Sequence, residues 1–197
     1  MKIIILGGFL GSGKTTVLLQ LAEKLLAQSP ASGGTDVMII ENEIGAVGVD
    51  DKVLKNQGLA VKELFAGCAC CSSGGNLIQD IESIRTELNP QWVVIEATGV
   101  AYPRAIKERI EEIFDFQVRV LSLADASRWR RLWDAMPQMI TAQIDCADTI
   151  LLNKSDLITP ELGEEISDEI KRLVPNVPLY LTDATKALPD EIWEKLL

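Results

Sequence analysis

KIIILGGFLGSGKTTVLLQLAEKLLAQ, Lys2 to Gln28, is the stretch on which the fold turns. Its opening, from Ile3 to Leu6, is apolar on successive residues rather than alternate ones, the pattern of a strand covered on both faces. Its close places Val17, Leu18, Leu21 and Leu25 at helical spacing. Between them GFLGSGKT, Gly8 to Thr15, fits G-x-x-x-x-G-K-[ST] in the strand–loop–helix setting that a phosphate loop needs. Glycines there let backbone N–H groups curl around phosphate oxygens at the positive end of the following helix. Lys14 is expected to reach β and γ phosphates, and Thr15 to offer its hydroxyl to Mg²⁺. Gly8, Gly11, Ser12, Gly13 and Thr16 complete the expected phosphate-binding set. A chance glycine-rich turn is the competing reading, and the flanking strand and helix argue against it.

Similar apolar runs recur outward from this stretch: VMIIEN, WVVIEA, VRVLSLAD, DTILLNK and VPLYLTD. Helical patterns such as AIKERIEEIF and PELGEEISDEIKRLV lie between most of them. Alternating strands and helices predict an α/β chain of P-loop NTPase type, a mostly parallel sheet flanked by helices on both faces. SPASGGTD, Ser29 to Asp36, reads as a surface connection. Glu43 to Lys62 shows no clear periodicity and contains Gly45, Gly48 and Gly58, so it reads as a largely irregular functional loop. The 197 residues fit one domain better than two. A formal net charge of −10 disfavours nucleic acid and acidic membrane as partners. The opening apolar run ends at Leu6, too short for a leader or a membrane span, so a cytoplasmic location is expected.

A phosphate loop does not choose between adenine and guanine. LLNKSD, ending at Asp156, does, because a carboxylate accepts from the ring N–H and exocyclic amine of guanine but meets a lone pair on adenine. Asn153 is expected to fix the loop and the base edge, with the Lys154 stem along the base plane. A helix-capping role for Ser155 or Asp156 is the plainer alternative. Glu41, Glu43 and Glu96 stand at strand ends, and Glu43 and Glu96 are the first choices for Mg²⁺ and the attacking water. Glu41 reads equally well as a solvated charge. Gly99 is placed to offer a backbone N–H to the γ phosphate.

FAGCACCSSGG, Phe65 to Gly75, holds Cys68, Cys70 and Cys71 in a chain without histidine. Adjacent Cys70 and Cys71 cannot both point one way in an extended strand. Three convergent thiolates therefore need a turn, which Gly67, Gly74 and Gly75 permit. Soft thiolates favour Zn²⁺ or Cu(I), with Co²⁺ and Ni²⁺ compatible. A redox thiol cluster and an inert buried turn are the rival readings. Cys146, just before a strand and far from other cysteines in sequence, reads as core.

Taken in order, GGFLGSGKTT, NEIG, GCACC, EATG and NKSD resemble the CobW-like GTPases, relatives of UreG and HypB, from the first strand to about Asp156. The resemblance implies that Cys68, Cys70 and Cys71 bind a transition metal, Zn²⁺ first, and that Thr15, Glu43 and Glu96 lie near Mg²⁺. It further implies GTP hydrolysis to GDP coupled to metal delivery to a client metalloprotein or to cofactor assembly, cobalamin included, and a nucleotide- or metal-dependent homodimer. Many such proteins carry a C-terminal domain and histidine-rich stretches; this chain is expected to be the GTPase domain alone. EATG followed by VAYP departs from the commoner E-T-T-G-x-A-D-P, with Tyr102 at an acidic position. DASRWRRLWDAMPQM is expected to form a helix with Trp129, Trp133 and Met136 on one face and Arg128 and Arg131 nearby, packed on the sheet. The function from a different class is a binding module of low turnover, a metal sensor or scaffold for a metalloenzyme.

Overall fold

The structure, a computed structural model, describes residues 1–28, 36–41, 59–63 and 74–197. Among them are seven strands, β1 (Lys2–Gly8), β2 (Val37–Glu41), β3 (Leu59–Glu63), β4 (Trp92–Glu96), β5 (Gln117–Asp125), β6 (Thr149–Asn153) and β7 (Leu179–Thr182). The helices are α1 (Lys14–Gln28), α2 (Gly74–Glu87), α3 (Pro103–Glu111), α4 (Trp129–Ala135), α5 (Pro137–Ile144), α6 (Pro160–Leu173) and α7 (Asp190–Leu196). Glu43, Cys68, Cys70 and Cys71 lie outside the described residues, as do Gly45, Gly48, Gly58, Gly67 and most of the Ser29–Asp36 connection.

The strands form one sheet in the order β3-β2-β4-β1-β5-β6-β7, every pairing parallel. The apolar run of β1 now has a cause. Ile4 and Leu6 project to the face covered by α1 and α7, packing with Leu18, Leu21, Leu25 and Trp193. Ile3 and Ile5 project to the other, against Ile81 of α2 and Ile106 and Ile110 of α3. The pleat sends neighbours to opposite faces, and both faces are covered, so Ile3 to Leu6 leave no place for a polar residue and the charge of Lys2 stands at the strand's open end. A third cluster joins Trp129, Ile140, Ile166 and Ile170 under α4, α5 and α6.

Two local expectations need correction. The segment read as largely irregular to Lys62 contains β3, which among the described strands pairs with β2 alone, at the sheet edge. LAVKE is five residues long and ends in two charges, which an edge strand tolerates and a central one does not. The expected single face of Trp129, Trp133 and Met136 is broken: α4 ends at Ala135, and Met136, exposed, joins it to α5, whose first residue is Pro137. Proline at that position starts a helix and cannot continue one. Trp129 is buried as expected, with Trp133 stacked on it at 6.0 Å between ring centroids. Gly74 and Gly75, read as turn glycines, open α2.

Ile4, with no exposed surface, touches the core shared by α1 and the central strands. Ile4→Ala is expected to cost about 2–5 kcal/mol through lost burial and the cavity left behind, read as a lower urea midpoint at unchanged slope.

Candidate functional site

The loop after β1 folds back on itself. Ser12 N donates to Phe9 O at 3.1 Å, and Lys14 Nζ, on the buried first residue of α1, reaches Phe9 O at 3.4 Å. Thr15 Oγ1 donates to Glu96 Oε1 at 3.2 Å, so the first turn of α1 meets the C-terminal end of β4. Glu96 is 6% exposed, a carboxylate held at the floor of the site rather than on its rim. Gly99 sits directly against the loop: a Cβ there would strike the backbone nitrogen of Leu10. Only glycine allows that approach.

The base-side residues are joined to the same loop. Asn153 ends β6; its Nδ2 donates to Ser12 O at 2.9 Å, while its Oδ1 accepts from Ala184 N at 2.9 Å and from Thr182 Oγ1 at 3.4 Å. Gly13, at φ +102°, leaves the space that the Asn153 amide fills. Lys154 is left-handed at φ +63° and leads into a 3₁₀ turn, Ser155–Leu157, which carries the exposed Asp156. Ser155 Oγ donates to Thr182 O at 3.0 Å, tying that turn to β7. Lys14, Thr15, Glu96 and Gly99 thus stand on one side of the phosphate loop, with Asn153, Lys154 and Asp156 on the other. Thr16 is exposed on α1.

Three functional candidates escaped the sequence. Gln143 of α5, buried, accepts from Gly8 N at 2.8 Å and donates through Nε2 to Ala101 O, joining the entry of the phosphate loop to the segment after Gly99. A glutamine inside an amphipathic helix gives no warning of that. Asp125 ends β5 with its side chain fully covered, and Arg128 starts the next turn. A carboxylate closing an apolar strand was legible in LAD as it was in Glu96. Burial pushes the Asp125 carboxyl up, but hydrogen bonds from Lys154, Ser127 and Arg128 outweigh it and hold it below the usual range. The backbone register also sets Glu41 beside Glu96 and Glu63 along the same sheet edge.

Residues 2–180 match the CobW/HypB/UreG nucleotide-binding domain. The chain belongs to the CobW/HypB/UreG family. The zinc chaperone YjiA of Escherichia coli is 32% identical over 195 residues, covering 91% of this chain and 57% of YjiA. The zinc chaperone YeiR of the same organism is 33% identical over 159 residues, covering 78% and 46%. This CobW/HypB/UreG domain therefore spans about half the length of those curated relatives. The crystal structure of Zn(II)-bound YjiA GTPase from E. coli superposes with a TM-score of 0.67 at 23% identity, covering 98% of this chain and 60% of that one. That likeness establishes the P-loop GTPase fold. Among the described residues no helix is long and apolar enough to cross a membrane.

Cys146, the described thiol of this CobW/HypB/UreG domain, is half-buried and packs against the core beneath α3, as its position before β6 led us to expect. Burial, helped by Asp145, pushes it up to about 11 against an ordinary 9.0. Its thiolate fraction near neutral pH is then about a hundredfold below that of a free thiol. Peptide mapping after iodoacetamide treatment at about pH 7.5 is expected to find Cys146 unmodified under conditions that label a free cysteine peptide, with labelling rising only as the pH approaches 11.

Proposed function

We propose that this CobW/HypB/UreG domain binds and hydrolyses GTP and couples its nucleotide state to the binding of a transition metal at Cys68, Cys70 and Cys71. The observation that supports the nucleotide part is the Asn153 bond to Ser12 O, which ties the N-K-x-D loop to the loop after β1. In this reading Gly8, Gly11, Ser12, Gly13 and Thr16 frame the phosphates, Lys14 neutralises them, and Asp156 reads the guanine edge beside Asn153 and Lys154. Gly99, in contact with Leu10, offers its N–H toward the γ phosphate.

Thr15 and Glu96 present hard oxygens to each other at 3.2 Å, a donor pair suited to Mg²⁺, with Glu43 as the further carboxylate. The ion supplies charge neutralisation on the phosphates when bound. Glu43 and Glu96 are the candidates for orienting the attacking water. Turnover is expected to be slow without a partner, because Arg128, which reaches the phosphate loop, is already engaged by Asp125 and Leu10 O.

The names of the curated relatives, zinc chaperones, support Zn²⁺ as cargo. Thiolate chemistry favours it, with Co²⁺ and Ni²⁺ as competitors. The segment from Glu43 to Cys71 joins an Mg²⁺ carboxylate to the thiolates, so ordering by GTP alters metal affinity and hydrolysis releases the ion to a client metalloprotein or cofactor-assembly enzyme, a cobalamin pathway among the candidates. Linkage requires metal to change GTP affinity by the same factor.

Anaerobic titration of reduced protein with Zn²⁺, Co²⁺ and Ni²⁺, each with Mg²⁺ and either GDP or a non-hydrolysable GTP analogue, tests the coupling. Metal affinity should differ between the two nucleotides and collapse in Cys70→Ala; equal affinity in the apo, GDP and GTP-analogue states removes the coupling. Light scattering on the same samples reads whether metal or nucleotide drives dimerisation.

The base assignment has its own check. Asp156→Asn is expected to weaken GDP about a hundredfold and to favour xanthosine diphosphate, because the carboxylate accepts from both the ring N–H and the 2-amine of guanine, whereas an amide can donate to the carbonyl that xanthine carries in place of that amine. Unchanged GDP affinity would move base recognition elsewhere.

A further inference from the structure

β5 lies between β1, which feeds the phosphate loop, and β6, which feeds the base loop. Its last residue, Asp125, therefore stands between the two loops at the sheet edge. The carboxylate is fully covered, yet four donors reach it. Lys154 Nζ and Arg128 Nε each lie 2.8 Å from Oδ2, while Ser127 N and Oγ donate to Oδ1 at 3.1 and 2.6 Å. A covered carboxylate with one weak partner would be costly; two converging cations and two neutral donors satisfy it.

Arg128 has a second end. Its Nη2 donates to Leu10 O at 2.7 Å, and the guanidinium lies against Gly11, where a Cβ would come within 3.3 Å of that nitrogen. The planar fork spans a carboxylate and a carbonyl at once, which an ammonium cannot do. Lys154, pinned through its Nζ, also carries the left-handed turn into Ser155–Leu157 and Asp156. The base loop is thus tied to the phosphate loop twice, at Ser12 O through Asn153 and at Leu10 O through Lys154, Asp125 and Arg128. Those two carbonyls flank Gly11.

We infer that Asp125 is a positioning residue that holds the base loop and the phosphate loop of the nucleotide site in register, with Arg128 as its arm to the phosphate loop. The inference rests on the guanine-nucleotide reading above. Asp125, covered and met by donors of the protein itself, fixes the direction of the Lys154 stem and, through Arg128, the turn at Leu10 and Gly11. Removing its charge frees both.

The test uses competition against a fluorescent GDP analogue to obtain affinities for GDP, inosine diphosphate and inorganic pyrophosphate, with wild type, Asp125→Asn, Arg128→Ala, Arg128→Lys and the Asp125→Asn/Arg128→Ala double variant. Melting curves without nucleotide are recorded alongside. Asp125→Asn is expected to weaken GDP about tenfold or more and to narrow the preference for GDP over inosine diphosphate, since both loops lose their anchor. Arg128→Ala is expected to weaken GDP and pyrophosphate by the same factor and to keep the base preference. Arg128→Lys should recover only part of that loss, and the double variant should fall short of the two single effects combined.

A purely structural role would lower the melting midpoint and leave the affinity ratios alone. Folded Asp125→Asn with wild-type affinities and base preference overturns the inference. Should Asp125→Asn fail to fold, unchanged pyrophosphate affinity in Arg128→Ala, half-exposed at a helix start, overturns it instead. Wild type that binds no GDP overturns the guanine reading and the inference with it, whereas wild type that binds GDP beside unaffected variants sinks the inference alone.

Discussion

All the strands of the described sheet point the same way, and that single constraint orders everything else. Parallel strands need crossovers, crossovers cover both faces, and covered faces favour apolar side chains, with the buried Ser122 of β5 bonded to Gln143 O. Polar chemistry is thereby driven to the strand ends. At the C-terminal edge the chain leaves β1 into the phosphate loop, β4 at Glu96, β5 at Asp125, β6 at Asn153 and β7 at Thr182. The sheet order changes direction at β1, with β4 on one side and β5 on the other, and such a switch point opens a crevice outside the strand ends. The phosphate loop emerges at that point.

Two covered carboxylates at that edge have different surroundings. Asp125 is enclosed by cations, so its charge is compensated within the protein. Glu96 accepts from the Thr15 hydroxyl, on the first turn of α1. The two strand-end carboxylates are therefore tied to different parts of the chain, Glu96 to the helix after the phosphate loop and Asp125 to Lys154 and Arg128. The neighbours on the two loops make the difference, not the strands.

Much of this was legible in the chain because it is local. Strand, loop and helix are contiguous in Lys2–Gln28, and the N-K-x-D run is four residues long, so spacing alone carries the signal. The six apolar runs that were read are all strands; β1, β2, β4, β5 and β6 lie inside the sheet, and β7, at its edge, still stays apolar through Leu181. β3, at the opposite edge, was missed because LAVKE holds only three apolar residues before its two charges. Gln143 and Arg128 were missed for another reason: their meaning depends on contacts spanning up to 135 residues, such as Gln143 to Gly8, which no periodicity encodes, whereas the strand-end carboxylate Asp125 was legible and went unread. Met136 misled because its spacing from Trp129 and Trp133 is helical, although α4 has ended at Ala135 and Met136 only leads into the helix that Pro137 starts.

Those long-range bonds share one trait: they end on the backbone of the phosphate loop. Gly8 N is held by Gln143, Leu10 O by Arg128, and Ser12 O by Asn153. Three side chains from three separate elements thus fix alternate residues of a loop whose glycines would otherwise leave it the freest part of the chain. Their cost in side-chain entropy is met on folding, before any ligand arrives. A loop already shaped binds phosphate without the ordering penalty that a free glycine-rich segment would carry. Because Asn153 belongs to the base side, the same bonds that shape the phosphate loop also set its distance from whatever reads the base.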